Sequence, residues 1–144
     1  MANSMSPNLM VTDVAASLAF YATGLGGTIG FTVDGEHNSN MDGEILDGAI
    51  FASVKLGESE MMLQERGNLA ADAPEAFSVN DEPGATMSLY VRVDDVDAVL
   101  AHLGDVPVVK PMQVTWYGMK EIWVRDPDGY VVTIGSPEGE PPKV

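Results

Sequence analysis

Apolar and polar positions follow one another along this chain in two similar patterns, and each pattern predicts a strand that leads into a helix. Residues 11–15 (VTDVA) return in a related form as residues 93–97 (VDDVD). An aspartate follows the apolar strand in each copy, Asp13 in the first and Asp95 or its neighbour Asp94 in the second. A short carboxylate at this place accepts hydrogen bonds from the free N–H groups of a first helical turn, so a helix is predicted to begin there in both copies.

Helical spacing and strand-like runs extend the repeat. The second helix is supported by apolar residues at i, i+3, i+4 and i+7, namely Val96, Val99, Leu100 and Leu103. The apolar spacing of the first helix is less regular, with Val14, Leu18 and Tyr21 on one side, and this helix is predicted to end at Gly24. Strands are predicted after each helix, at 28–33, 49–56 and 60–64 in the first half and at 106–109, 120–125 and 130–134 in the second. Residues 126–129 (DPDG) predict a tight turn between the last two strands, since Pro127 presets φ and Gly129 tolerates positive φ.

This order predicts an α+β fold with two βαβββ modules in a single domain over residues 1–144. The modules span 5–65 and 86–136, residues 66–85 connect them, and 137–144 form a tail. A long Gly- and Asn-rich loop is expected at 34–47. One helix leaves one face of a four-stranded sheet uncovered, so the modules are expected to pair, either within one chain or between two.

Composition narrows the function. The chain has no cysteine, which excludes disulfides, a thiolate zinc site and a cysteine nucleophile. Its net charge of −15 makes nucleic acid and anionic membranes poor partners. The acidity would attract a cationic ligand, or it reflects solubility or a saline habitat. No signal peptide or membrane span is apparent, so a cytoplasmic protein is expected.

Three passages resemble the vicinal oxygen chelate superfamily, which includes glyoxalase I, extradiol dioxygenases, fosfomycin-modifying enzymes and bleomycin-resistance proteins. They are residues 11–26, with VTD, SLAFY and GLG in order, residues 91–98 (VRVDDVDA), and residues 116–130, in which WYG leads to VRDPDGY. The resemblance covers roughly residues 5–136. It implies curved mixed sheets that form a cleft, and a homodimer in which halves from different chains often pair.

The resemblance also implies where a metal would be held. Enzymes of the superfamily bind a divalent metal through His, Gln or Glu on the first and last strand of each half. Those positions fall here on Ser6, Met62, Ser88 and Thr133, which are poor ligands for such ions. The two histidines, His37 in the long loop and His102 near the end of the second helix, do not replace them. Neither a metal nor another cofactor is therefore expected.

Strand alternation assigns side chains to the cleft. The predicted ligand-binding residues are Met10, Phe51, Met62, Gln64, Ser88, Tyr90, Arg92, Trp123, Arg125 and Thr133, with Trp116 on a loop at the cleft mouth. Apolar walls with a few polar groups are typical of a small-molecule site, and aromatic rings accept planar or cationic ligands. If Glu121 and Glu65 do not neutralise Arg92 and Arg125, the expected ligand carries a carboxylate or phosphonate instead. Ordinary packing between sheets is the alternative for each aromatic residue.

These observations favour a metal-independent protein that binds a small organic ligand, as bleomycin-resistance proteins do when they sequester a drug or metabolite. The alternative is a lyase, isomerase or dioxygenase of the same superfamily with a displaced or absent metal site. Its candidate acid–base groups would be Glu121, Glu65 and Tyr90, and no catalytic residue is assigned. A third possibility is a partner-binding dimer without a small-molecule role.

Overall fold

Two sheets of five and four strands, accompanied by a few helices, make up an α+β fold. The computed structural model describes residues 1–84 and 86–139. The chain divides into two compact units, Met1–Pro83 and a second that begins at Gly84. Of the predicted connection and tail, residue 85 and residues 140–144 lie outside the described residues. No helix in the described part of the chain is long and apolar enough to cross a membrane.

The first unit contains the predicted βαβββ order with two additions. Its elements are β1 (Asn8–Val11), α1 (Val14–Leu18), a π-helical segment (Ala19–Gly24), β2 (Thr28–Asp34), β3 (Ser39–Asn40), β4 (Ala49–Leu56), β5 (Ser59–Glu65) and α2 (Arg66–Asp72). The strand order is β1-β5-β4-β2-β3, with β1 parallel to β5 and the other pairs antiparallel. The short strand β3 lies within the predicted long loop.

Helix α1 begins where the sequence predicted, because Asp13 accepts a hydrogen bond from the backbone N–H of Ala16 at 3.2 Å. Val14, Leu18 and Tyr21 are all buried, so the apolar side of the helical region is the side that packs. Alternate residues of β1, β4 and β5 complete this core, namely Leu9, Val11, Ala52, Val54, Met61 and Leu63.

Helix α2 was not predicted, and it lies within the predicted connection between the modules. Both carboxylate oxygens of Glu65 accept backbone hydrogen bonds, from the N–H groups of Gly67 and Asn68, at 2.8 Å each. Leu69 and Ala70 are buried on the inner side of this helix, which packs against β5 and β1. A seven-residue helix is too short for periodicity to reveal it, and Glu65 was predicted only as the last residue of the first module.

The second unit repeats the βαβββ order. It contains β6 (Ser88–Arg92), α3 (Val96–Leu103), β7 (Val108–Val114), β8 (Met119–Arg125) and β9 (Val131–Pro137), with strand order β6-β9-β8-β7. Helix α3 packs on β8 and β9. Asp95 caps its first turn through Asp97 and Ala98. The turn at 126–129 is confirmed by a hydrogen bond from the Gly129 N–H to the Asp126 carbonyl at 3.0 Å and by φ +87° at Gly129.

Strand β7 was predicted incorrectly over 106–109, since it begins at Val108 and runs on to Val114. Pro111 lies beyond the predicted strand and has no N–H group to donate to a neighbouring strand. β7 is the edge strand of its sheet, where one side of the backbone needs no partner and a proline is tolerated. This difference matters for the site, because the extended strand places Lys110 beside Trp123.

Candidate ligand-binding faces

Strand register in the first unit places four predicted site residues on one face of its sheet. Met10 lies beside Gln64, Gln64 lies opposite Phe51, and Met62 lies opposite Ser53. Neighbouring residues in register point to the same side of a sheet, so the alternation derived from sequence gave the correct phase.

Gln64 on this face is a buried junction between strand and helix. Its Oε1 accepts a hydrogen bond from Asn8 Nδ2 at 2.9 Å, and its Nε2 donates to Asn68 Oδ1 and Asp72 Oδ2 at 2.7 Å each. These contacts tie β1 and β5 to α2. The structure therefore gives the Gln64 amide a structural role inside the first unit.

The second unit carries more of the predicted site residues than the first. The predicted residues Ser88, Tyr90, Arg92, Trp123, Arg125 and Thr133 share one face, together with Lys110 and Glu121. We call this set the Trp123 face. The opposite side of the same sheet is apolar and buried, with Ile122, Val124, Val132 and Ile134.

Glu121 is a buried carboxylate at the centre of the Trp123 face. Its Oε2 accepts hydrogen bonds from the Tyr90 hydroxyl at 2.5 Å and from the Tyr117 hydroxyl at 2.7 Å. Burial of the hydroxyl, followed by its hydrogen bond to Glu121 and the charge of that carboxylate, raises the pKa of Tyr90 well above the usual range. The hydrogen bond to Glu121 likewise raises the pKa of Tyr117. Both hydroxyls therefore stay protonated at neutral pH and act as hydrogen-bond donors to Glu121, and Tyr90 is not a base.

Gly135 makes the contact between Tyr90 and Glu121 possible. It lies between them in the sheet, in register with Glu121 on one side and Arg92 on the other. A Cβ at Gly135 would lie 2.5 Å from the Tyr90 hydroxyl oxygen, which is closer than van der Waals radii permit. The absence of a side chain lets the tyrosine ring cross the central strand.

Two cations of the chain already lie over the aromatic rings of this face. The Arg92 guanidinium carbon is 4.9 Å from the ring centroid of Tyr90, and Lys110 Nζ is 5.1 Å from that of Trp123. Both distances lie within cation–π range. Lys110 was absent from the predicted site because β7 was predicted to end at Val109.

Trp123 and Trp116 differ in environment. The Trp123 ring is half-buried, and its indole Nε1 is shielded from solvent without a hydrogen-bond acceptor among residues 1–84 and 86–139. Trp116 lies between β7 and β8, where it is 86% exposed and contacts the Tyr117 ring edge-on at 5.3 Å. Sequence reasoning selected Trp116, whereas Tyr117 is the residue of this loop that reaches Glu121.

Comparison with known proteins supports the family suggested by the sequence. The profile of the Glyoxalase/Bleomycin resistance protein/Dioxygenase superfamily matches residues 5–134. The chain belongs to this superfamily. No curated protein matches it.

Solved structures show the same fold as this superfamily member. A protein of unknown function from Agrobacterium tumefaciens is 23% identical with a TM-score of 0.70, and the match covers 94% of each chain. A superfamily member from Sphaerobacter thermophilus is 21% identical with a TM-score of 0.63, covering 94% of this chain and 98% of that one. A glyoxalase-related enzyme from Fulvimarina pelagi is 17% identical with a TM-score of 0.65, covering 99% and 97%. At these identities the likeness concerns the fold alone.

The metal positions inferred for the superfamily do not fit a divalent transition metal in this chain. In the second unit Ser88 lies beside Val131 and Thr133 beside Tyr90, so the two positions contribute only hydroxyl groups. In the first unit Met62 contributes a thioether. Such donors bind Zn, Ni, Mn or Fe poorly. Among the described residues, no group of three His, Cys, Asp or Glu side chains is arranged to hold a metal.

Proposed function

We propose that this superfamily member is a metal-independent protein that binds a planar small organic molecule on the Trp123 face. The observation that carries the proposal is the combination of two aromatic rings, Trp123 and Tyr90, with polar and charged groups on one side of a sheet whose other side is a closed apolar core. Aromatic surface supplies contact area, and the polar groups orient what is bound.

The fixed position of Tyr90 supports this function. Its hydroxyl is held by Glu121, while 39% of its surface remains exposed. A ring held in place loses little conformational freedom when a ligand packs against it, which favours binding. Sequestration of a drug or metabolite is the role in the superfamily that needs no further chemistry.

A second candidate, an enzyme that transfers protons, is favoured by one observation. Glu121 is 1% exposed and lies on the Trp123 face, where the ligand is proposed to bind. A buried carboxylate beside a ligand is a general-base candidate, although two tyrosine hydroxyls occupy its Oε2. Mass spectrometry of the bound molecule after incubation separates the two functions. Unchanged ligand supports sequestration, and a product that is lost in Glu121→Gln supports catalysis.

The first prediction concerns Trp123. A thermal-shift screen over antibiotics and aromatic metabolites should return a ligand, and Trp123→Ala should then weaken its binding by roughly tenfold or more, because stacking and apolar contact area are lost. The measurement is calorimetric titration, with folding checked by circular dichroism. Val132→Ala, on the buried opposite side of the sheet, is the control for general destabilisation. Equal affinity of wild type and Trp123→Ala would mean that Trp123 serves packing.

The second prediction concerns metal. Because Ser6, Met62, Ser88 and Thr133 offer no strong ligand, we expect protein that is stripped with chelator, incubated with Zn, Ni, Mn or Fe and desalted to retain none of them stoichiometrically. Elemental analysis by mass spectrometry provides the measurement. One tightly held ion per chain would contradict metal independence and favour the enzyme.

A further inference from the structure

Positive charge is concentrated on the Trp123 face, although the chain as a whole is strongly acidic. The chain has seven Lys and Arg against 22 Asp and Glu. Three of those seven, Arg92 on β6, Lys110 on β7 and Arg125 on β8, lie on this face. Glu121 is the one carboxylate that the described strands contribute to the same side. The face is therefore locally cationic.

The three cations are not neutralised by ion pairs. Among residues 1–84 and 86–139, no carboxylate oxygen lies within 4.0 Å of Arg92, Lys110 or Arg125. The two acids that sequence reasoning offered as partners are engaged elsewhere, Glu121 by two tyrosine hydroxyls and Glu65 by the first turn of α2. Arg125 donates one hydrogen bond to the Gly129 carbonyl at 2.8 Å, which leaves most of its five N–H donors available.

The aromatic rings of the face also disfavour a cationic ligand, because cations of the chain already lie over them. The ring positions at which an ammonium ligand would bind are those that Lys110 and Arg92 occupy, 5.1 Å and 4.9 Å from the two centroids. Any ligand that packs on these rings must displace the two side chains, and a cationic ligand would also be repelled by them. An anionic ligand would instead attract them, because lysine and arginine donate charge-assisted hydrogen bonds to carboxylate and phosphonate oxygens.

Trp123 adds an unused donor to this set. Its Nε1–H is shielded from water and lacks an acceptor in the described part of the chain. An unpaired buried donor is unfavourable, and an oxygen atom supplied by a ligand would relieve it once the side chains that shield Nε1 move aside. The indole therefore points to an acceptor-rich ligand, as the three cations do.

We propose that the Trp123 face binds a planar organic oxyanion, an aromatic carboxylate or phosphonate. Lys110 and Arg92 turn away from the two aromatic rings toward its anionic group, which Arg125 also holds, and its ring takes their place against Trp123 and Tyr90. This inference rests on the proposed function and adds the ligand's sign of charge. The sequence left this sign open between a cation, which the acidity of the whole chain would attract, and a carboxylate or phosphonate.

Three probes with the same aromatic ring and substituents of similar size but different charge test the inference: naphthoate, naphthamide and naphthylmethylammonium. Calorimetric titration at neutral pH should show naphthoate binding roughly ten- to a hundredfold more tightly than naphthamide, with the ammonium weakest. Lys110→Met and Arg92→Gln should each weaken naphthoate by roughly tenfold and change the affinity for naphthamide much less. Lys55→Met, which removes the same charge from the first unit, is the matched control and should leave all three affinities unchanged.

The indole N–H of Trp123 gives a second readout. The chain has two tryptophans, so a nitrogen–proton correlation spectrum contains two indole signals, which Trp116→Phe assigns. Naphthoate should shift the Trp123 signal downfield as the ligand oxygen accepts its hydrogen bond. An unmoved signal in the saturated complex would overturn the contact with Trp123.

The outcomes separate the two proposals. If naphthamide or the ammonium binds as tightly as naphthoate and Trp123→Ala still abolishes binding, the oxyanion inference is wrong and the proposed function stands. If no probe binds, or if binding is the same in Trp123→Ala, the ligand face itself is wrong. Preference for naphthoate that is lost in Lys110→Met, but not in Lys55→Met, supports both.

Discussion

Single residues of the second sheet decide what its exposed side presents. Glu121, Trp123 and Arg125 alternate along β8 toward the Trp123 face, while Ile122 and Val124 enter the core. This alternation is readable from sequence because successive side chains of a strand point to opposite sides. The contacts among these residues are not, since Tyr90 and Glu121 are 31 positions apart and meet only because Gly135 leaves room.

The third prediction concerns Gly135. In Gly135→Ala the new Cβ should displace the Tyr90 hydroxyl from Glu121, so the pKa of Tyr90 should fall from its raised value toward the ordinary 10.0. The difference in tyrosinate absorbance between each protein and the same protein carrying Tyr90→Phe reports this single ionisation. Gly35→Ala, whose Cβ would meet nothing within 4 Å, is the control. A high pKa of Tyr90 retained in Gly135→Ala would contradict the steric argument.

The same shift sets a dependence of stability on pH. The folded-state pKa of Tyr90 is raised, so its contribution to the free energy of unfolding is fully present below pH 10.0, the ordinary value, and is lost as pH rises through the folded value. Denaturant unfolding should be measured from pH 9 upward, about one pH unit below the ordinary pKa. The free energy of unfolding should decline as pH rises, and this decline should be smaller in Tyr90→Phe. Equal declines in both proteins would assign the loss to other groups.

At the level of elements, helix α2 links the end of β5 to the buried Gln64. Glu65 caps the helix, and Asn68 and Asp72 on the same helix accept hydrogen bonds from the Gln64 amide. The cap therefore supports more than one turn of helix. It also positions the acceptors for Nε2 of Gln64, which is 4% exposed, and without them this Nε2 would lose both hydrogen bonds.

The fourth prediction follows from this arrangement. Glu65→Ala should lower the free energy of unfolding by about 1 kcal/mol or more, since it removes two hydrogen bonds to backbone N–H groups at the start of a helix. Chemical denaturation provides the measurement. Glu58→Ala is the control, because Glu58 lies in the exposed turn before β5 and its loss removes the same charge without removing a helix cap. If the two variants unfold alike, the cap contributes nothing measurable.

At the level of the whole molecule, charge and assembly are coupled. The chain carries −15 charges, and identical charged chains repel one another. The second sheet also ends in β7, an edge strand whose Val108 and Val114 are 52% and 61% exposed. An exposed apolar edge of this kind favours contact with another chain.

The fifth prediction is a homodimer that salt strengthens. Light scattering at micromolar concentration should give twice the chain mass of 15.3 kDa, with weaker association at low salt. Added salt screens the repulsion beyond a Debye length of about 8–10 Å at physiological ionic strength. A monomer at all salt concentrations would contradict the prediction, and a dimer that weakens with salt would show that attraction between charges holds it together.

Local and periodic features of this protein were determined by its sequence. The caps at Asp13 and Asp95, the turn at 126–129, and the strand phases of Trp123 and Gln64 depend on neighbours within a few positions, so they are legible without a structure. Repetition of these features predicted the two βαβββ modules, and the resemblance of three passages suggested the superfamily that the profile match confirmed.

The tertiary structure alone decided which distant groups meet. It extended β7 past Pro111 because an edge strand leaves one side of its backbone unpaired, and so brought Lys110 over Trp123. It directed two tyrosine hydroxyls to Glu121 and left Arg92 without a carboxylate partner among the described residues. Pairings of this kind depend on register and on the space left by a glycine, which are properties of neighbouring strands and are not encoded in the spacing along any one of them.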